Sequence, residues 1–152
     1  MEPSIITRED FRVVGLKYRG KNENEEIPRL WREFWPRHTE ISGRVTPIVS
    51  FGVIDHFSES SSEFEYVAGI AVEAESDIPE GMAEVKIPGQ TYAVFDCTLP
   101  TLMETIGHIH EEWLPNSDYK RAAGPEFELY DERFDPERNE FGMSVYIPVV
   151  KK

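Results

Sequence analysis

The stretch Gly124-Pro125-Glu126-Phe127-Glu128-Leu129-Tyr130 alternates acidic and apolar side chains with a period of two. In a strand, Glu126, Glu128 and Tyr130 share one face, and Phe127 and Leu129 share the other. This pattern leads us to expect Phe127 and Leu129 against a helix layer, with Glu128 turned into the space on the opposite side. If that space is open solvent, the carboxylate means little. If it is an aromatic cleft, the same carboxylate anchors a ligand.

The segments around this stretch recur elsewhere in the chain at a displacement of 79 residues. Ile27, Leu30 and Phe34 fall beside Ile106, Ile109 and Trp113, and Pro36 falls beside Pro115. Residues 48–57 fall beside 127–136, and 64–72 beside 143–151. Helix stripe, proline and following strands keep one displacement, which marks a structural duplication. Each half reads strand-strand-helix-strand-strand, over about 1–76 and 80–152, within a single domain of 1–152. At this displacement Glu128 falls beside Val49, so only one half carries the acid.

In the first half, strands over 4–8 and 11–18 precede a helix over 24–35, with Asn24 as its cap and Pro36 as its stop. A hairpin over 48–57 and 64–72 follows. In the second half, Pro88-Gly89-Gln90 turns between strands over 82–87 and 92–97. Thr98 caps a helix whose apolar stripe is Leu102, Ile106, Ile109 and Trp113, and Pro115 stops it. Each half must bury a helix stripe and a sheet face. Joined, they satisfy both as an α+β fold, with one extended antiparallel sheet, both helices on one side and, on the other, a concave surface that is a candidate for a central ligand cleft.

Composition narrows the function. A chain of 152 residues with ordinary apolar content buries a stable core without a metal or disulfide. No run approaches the roughly 20 apolar residues of a membrane span, and residues 1–4 do not resemble a secretory signal. With one cysteine, Cys97, these features point to the cytoplasm. A net charge of -13, from 16 basic and 29 acidic residues, repels phosphate backbones, so direct nucleic-acid binding is not expected. His108 and His110 point to different sides of a helix, while Glu104, His108 and Glu112 share a face that reads as surface ion pairing. No metal and no cofactor are expected.

Four ordered motifs carry a resemblance. They are the run from Pro88 to Phe95, the run from Glu112 to Tyr119 with its Trp113-Leu114-Pro115, then Phe127-Glu128-Leu129-Tyr130, and finally Tyr146-Ile147-Pro148-Val149. Together they resemble the GyrI-like small-molecule-binding family, which includes the effector-binding domains of AraC-type and MerR-type regulators. The resemblance covers essentially the whole chain. It implies a duplicated module whose cleft binds hydrophobic or cationic compounds, with the pocket glutamate at Glu128. With only about ten residues before the first substantial strand, a helix-turn-helix region is not expected within this sequence. Other branches imply a regulatory protein partner, including DNA gyrase, or hydrolysis of strained electrophiles.

Around Glu128, the candidate aromatic walls are Trp31, Trp35, Tyr66, Tyr92, Trp113, Tyr130 and Tyr146. Trp31 and Trp113 lie on helix stripes, where core packing competes with ligand contact. Tyr92 and Tyr146 lie in strands, and their hydroxyls need partners if buried. In the hydrolytic alternative, Glu128 acts as general base and Tyr92 or a tryptophan stabilises the substrate. Cys97 has no adjacent histidine and reads as a small buried side chain.

Overall fold

The computed structural model describes residues 2–73, 76–135 and 142–152. Its strands are β1 (Ser4–Arg8), β2 (Phe11–Gly20), β3 (Ser50–Asp55), β4 (Phe64–Val72), β5 (Ala83–Ile87), β6 (Gln90–Asp96), β7 (Tyr119–Arg121), β8 (Glu126–Tyr130) and β9 (Met143–Lys151). Helices α1 (Glu26–Phe34) and α2 (Leu102–His108) follow β2 and β6. The sheet is antiparallel throughout, in the order β1-β6-β9-β8-β3-β4-β2-β5, with the short β7 paired to β9. β7 was not anticipated, and Pro136, at the end of one expected strand run, lies outside the described residues.

The order is symmetric about the central β3–β8 pair. Each half contributes a four-strand block, yet the first strand of each half has crossed over. β1 pairs with β6 of the second half, and β5 pairs with β2 of the first. Where β2 meets β4, Gly15 faces Gly69, and a Cβ at Gly69 would lie 2.5 Å from the Val14 carbonyl oxygen. Only glycine lets the two backbones approach this closely.

Both helices pack on one face. Leu30 and Phe34 of α1 bury against Val14, Tyr66, Ala68 and Ile70. Ile109 and Leu114, beyond α2, bury against Ala93, Phe95, Val145 and Ile147. Each large side chain so buried contributes about 1.5–3 kcal/mol before entropy is counted. The opposite face holds a third cluster, with Phe51, Val53, Val67, Tyr92, Phe127 and Tyr146 packed on one another and no helix residue among them.

This third cluster corrects the expected orientation of β8. Phe127 and Leu129 belong to the helix-free face, so Glu128 points toward the helices. Strand alternation separates two sets of side chains but does not say which set meets a helix. The counterpart of Glu128 also changes. β3 starts at Ser50 and β8 at Glu126, and Gly52 faces Glu128 directly in their register. Gly52, not Val49, is therefore its symmetry mate.

The helix ends also differ from expectation. Asn22, rather than Asn24, supplies a side-chain acceptor to the first turn, taking the Ile27 N–H at 3.0 Å. Thr101, rather than Thr98, stands at the cap of α2. Neither proline stops its helix outright. Pro36 opens a 3-10 helix over Trp35–Glu40. Pro115 lies in a last α turn, Leu114–Asn116, after a wide π turn over Ile109–Trp113. Proline removes one N–H donor but suits the first turn of a new helical segment.

Candidate functional site

β3 and β8 lie at the centre of the sheet, between the patches covered by the two helix layers. On this strip β8 presents Glu126, Glu128 and Tyr130 toward the helix side. Glu128 is only 7% exposed. Its Oε1 accepts hydrogen bonds from the Tyr66 hydroxyl at 2.8 Å and the Tyr130 hydroxyl at 2.7 Å. Trp31 Nε1–H in turn donates to the Tyr66 oxygen at 2.9 Å. Among the described residues, both donors to Glu128 converge on Oε1, and none serves Oε2.

Further aromatic rings pack around the two tyrosines that hold the carboxylate. Trp31 meets Tyr130 edge-on at 5.6 Å and stacks on Trp35 at 6.0 Å. Phe134 also meets Tyr130 edge-on, at 4.8 Å. Trp35 is 41% exposed and forms the outer edge of this group. Taking a carboxylate out of water disfavours its charge, and burial raises the Glu128 pKa while the Tyr130 and Tyr66 bonds oppose the rise. Burial, reinforced by the neighbouring Glu128 charge, raises both tyrosyl pKa values, so both hydroxyls stay protonated donors.

Gly52 makes this arrangement fit. A Cβ there would collide with the Tyr66 hydroxyl and lie 2.6 Å from Glu128 Oε1. The sequence reading missed it, although a lone glycine inside an apolar strand signals close approach. Phe134 was missed too, since it follows β8 outside any periodic run.

The second acid is differently placed. Glu126 Oε1 contacts His110 Nε2 at 3.2 Å and accepts from Arg121 Nε at 3.0 Å. Burial opposes its ionisation, but His110 and Arg121 together hold its pKa below the usual carboxylate range. Burial, with the charges of Glu128 and Asp96, pushes the Cys97 thiol up to about 11. His108 pairs with Glu112 at 2.9 Å, as its helix spacing suggests. Among the described residues, no cluster of three or more His, Cys, Asp or Glu could hold a metal.

The structure thus gathers Glu128, Tyr66, Tyr130, Trp31 and Trp35 in one place. Trp113 is elsewhere, packed on Phe95 at 5.3 Å and Tyr119 at 6.0 Å. Tyr92 and Tyr146 do not share the site. They pack with Phe127 on the helix-free face, at 5.2 and 4.6 Å. The sheet separates Tyr92 from Glu128, so the suggested catalytic pairing of these two is not assembled. A cavity of about 260 Å³ opens on that same far face, over Val53, Val67 and Val85. Lys17, His56 and Glu65 at its rim are paired among themselves.

This symmetric α+β sheet, with a buried carboxylate and aromatic rings at its centre, has the fold of an effector-binding family. Residues 4–149 match the family of integron-associated effector-binding proteins, Cass2, and the chain belongs to that family. The transcriptional regulator BrlR of Pseudomonas aeruginosa is 37% identical over 155 residues, covering 98% of this chain and 56% of BrlR. The chain therefore spans little more than half the length of that relative. SAV2435, solved bound to tetraphenylphosphonium, shares the fold with a TM-score of 0.73 and 15% identity, over 99% of this chain and 94% of that one. The C-terminal domain of EcmrR does so with a TM-score of 0.65 and 14% identity, over 99% of this chain and 98% of that domain.

Proposed function

We infer that the protein binds hydrophobic organic cations at Glu128 and works as an effector-binding unit rather than as a catalyst. The observation that carries this reading is the buried carboxylate whose Oε2 has no donor among the described residues, enclosed by Trp31, Tyr66 and Tyr130. A cation reaching Oε2 neutralises a charge that burial otherwise disfavours, and the rings cover its apolar body. The carboxyl must ionise to make that pair, so binding tightens as pH rises through the Glu128 pKa. The tetraphenylphosphonium held by SAV2435, a lipophilic monocation, is the kind of ligand this site suits.

Glu126 serves a different purpose in this reading. Already engaged by His110 and Arg121, it keeps the edge of the site neutral and leaves Glu128 as the recognising charge. A regulatory role fits the relation to BrlR. A cytoplasmic setting fits the single cysteine and the lack, among the described residues, of any helix long and apolar enough to cross a membrane.

Tryptophan fluorescence titration with tetraphenylphosphonium tests the reading, since Trp31 and Trp35 border the site. Saturable quenching is expected in the wild type, weakened about tenfold or more in Glu128→Gln. Triphenylphosphine oxide, of similar shape but neutral, should bind both proteins alike. Equal affinity of the two proteins for the cation would overturn it.

A further inference from the structure

The helix-free face carries a cation of its own. The guanidinium carbon of Arg8 lies 4.3 Å from the ring centre of Phe11, 5.5 Å from Tyr146, 5.7 Å from Phe127 and 5.8 Å from Phe51. Tyr92 backs this group by packing on both Phe127 and Tyr146. A cation within about 6 Å of a ring centre is attracted by the ring quadrupole, and cages of several rings recognise ammonium ligands in this way. Here four mutually packed rings from β2, β3, β8 and β9 lie within 6 Å of one guanidinium.

Arg8 is held there by little else. Among the described residues its guanidinium has no hydrogen-bond acceptor and no carboxylate partner, although it carries five N–H donors. It closes β1, a five-residue edge strand whose other four residues are exposed and which, among the described residues, pairs only with β6. The cage is thus built from the core of the sheet, and its occupant from the periphery.

We propose that this aromatic basin is a second cation-binding site, on the face opposite Glu128, with Arg8 as its tethered resident and guanidinium or quaternary ammonium compounds as the ligands that exchange with it. The resident competes with any incoming cation, so apparent affinity in the wild type is reduced by the fraction of time Arg8 is seated. The net charge of -13 favours cations over anions as visitors. This site is independent of the Glu128 reading and stands if that reading fails.

The two sites can be told apart spectroscopically. All three tryptophans lie on the helix side, with Trp31 and Trp113 in its clusters and Trp35 stacked on Trp31. The basin is read instead through the ring resonances of Tyr92 and Tyr146. Arg8→Ala is expected to lower Tm by roughly 3–8 °C. Millimolar methylguanidinium or tetramethylammonium should restore much of that loss saturably, shift the Tyr92 and Tyr146 resonances, and do both equally in an Arg8→Ala, Glu128→Gln double variant. The wild type should respond at least tenfold more weakly. Arg8→Met, which keeps the apolar stem, takes the place of the alanine variant in the same measurements if that variant does not fold. A response no greater than that to equimolar sodium chloride, one equal in wild type and variant, or one abolished by Glu128→Gln overturns the proposal.

Discussion

Replacing Gly52 by alanine adds one methyl group at the centre of the sheet, where its effect can be worked from distances. The new Cβ would overlap the Tyr66 hydroxyl and stand 2.6 Å from Glu128 Oε1. Forcing a methyl into a filled site costs roughly 1–3 kcal/mol. Pushing a hydroxyl donor off a buried carboxylate forfeits about 1.5–3 kcal/mol more. The better strand conformation of alanine returns about 0.5–1 kcal/mol. The net expectation is a loss of about 1.5–5.5 kcal/mol, or roughly 4–16 °C in Tm for a chain of this size. Thermal unfolding followed by circular dichroism measures it. Tyr66→Phe removes the group that the methyl hits, so the two losses should not add. Their sum should exceed the double variant's loss by about 1–2 kcal/mol. The lost Trp31 hydrogen bond is common to both backgrounds and cancels in the cycle. A Tm unchanged within about 1 °C in Gly52→Ala, or strict additivity in the double variant, would refute the claim that Gly52 makes room for the Tyr66–Glu128 contact.

Two further outcomes follow from the electrostatics. Burial raises the Glu128 pKa in the folded chain, so the stability tied to its proton is fully present below the unfolded value, near 4.3, and is lost as pH rises through the folded one. Glu128→Gln removes that dependence, so urea unfolding between pH 4 and 8 should show the variant gaining on the wild type as pH rises. Parallel curves would contradict the assignment. Cys97, with its thiol pushed up to about 11, should react with iodoacetamide at pH 8 about a hundredfold more slowly than an unperturbed thiol, because the thiolate is the nucleophile. Rapid alkylation of the folded protein would show that Cys97 is not shielded in this way.

The strand and helix order was legible because apolar periodicity reports it directly. Ile27, Leu30 and Phe34, and likewise Ile106, Ile109 and Trp113, fix both helices without knowledge of the partner surface. The facing of β8 was not legible. Phe127 has the character of a residue that meets a helix, yet it packs on Phe11, Phe51, Tyr92 and Tyr146. A sheet buried on both faces gives alternation no sign. Glu128 could be singled out, but its tolerance on a packed face depends on hydroxyls from Tyr66, 62 residues away, and Tyr130. No local pattern joins those three. Gly52 was visible as an anomaly inside Ser50–Asp55, but its meaning required the cross-strand register. Tyr92 and Tyr146 looked like walls of the cleft because strand sequence gives aromatic content without giving a side.

The reciprocal exchange of β1 and β5 has a mechanical consequence. Were the halves simply abutted along β3 and β8, the molecule could open like a book at that one seam and admit ligands of any size. Instead each half grips the other at its outer margin, through β1–β6 and β5–β2. Separating the two halves means unzipping three strand pairs together, β3–β8, β1–β6 and β5–β2. Room for ligands of different shape must therefore come from above the sheet, by rearrangement of Trp31, Trp35 and the segment around α2, while the floor that carries Glu128 and Gly52 stays rigid.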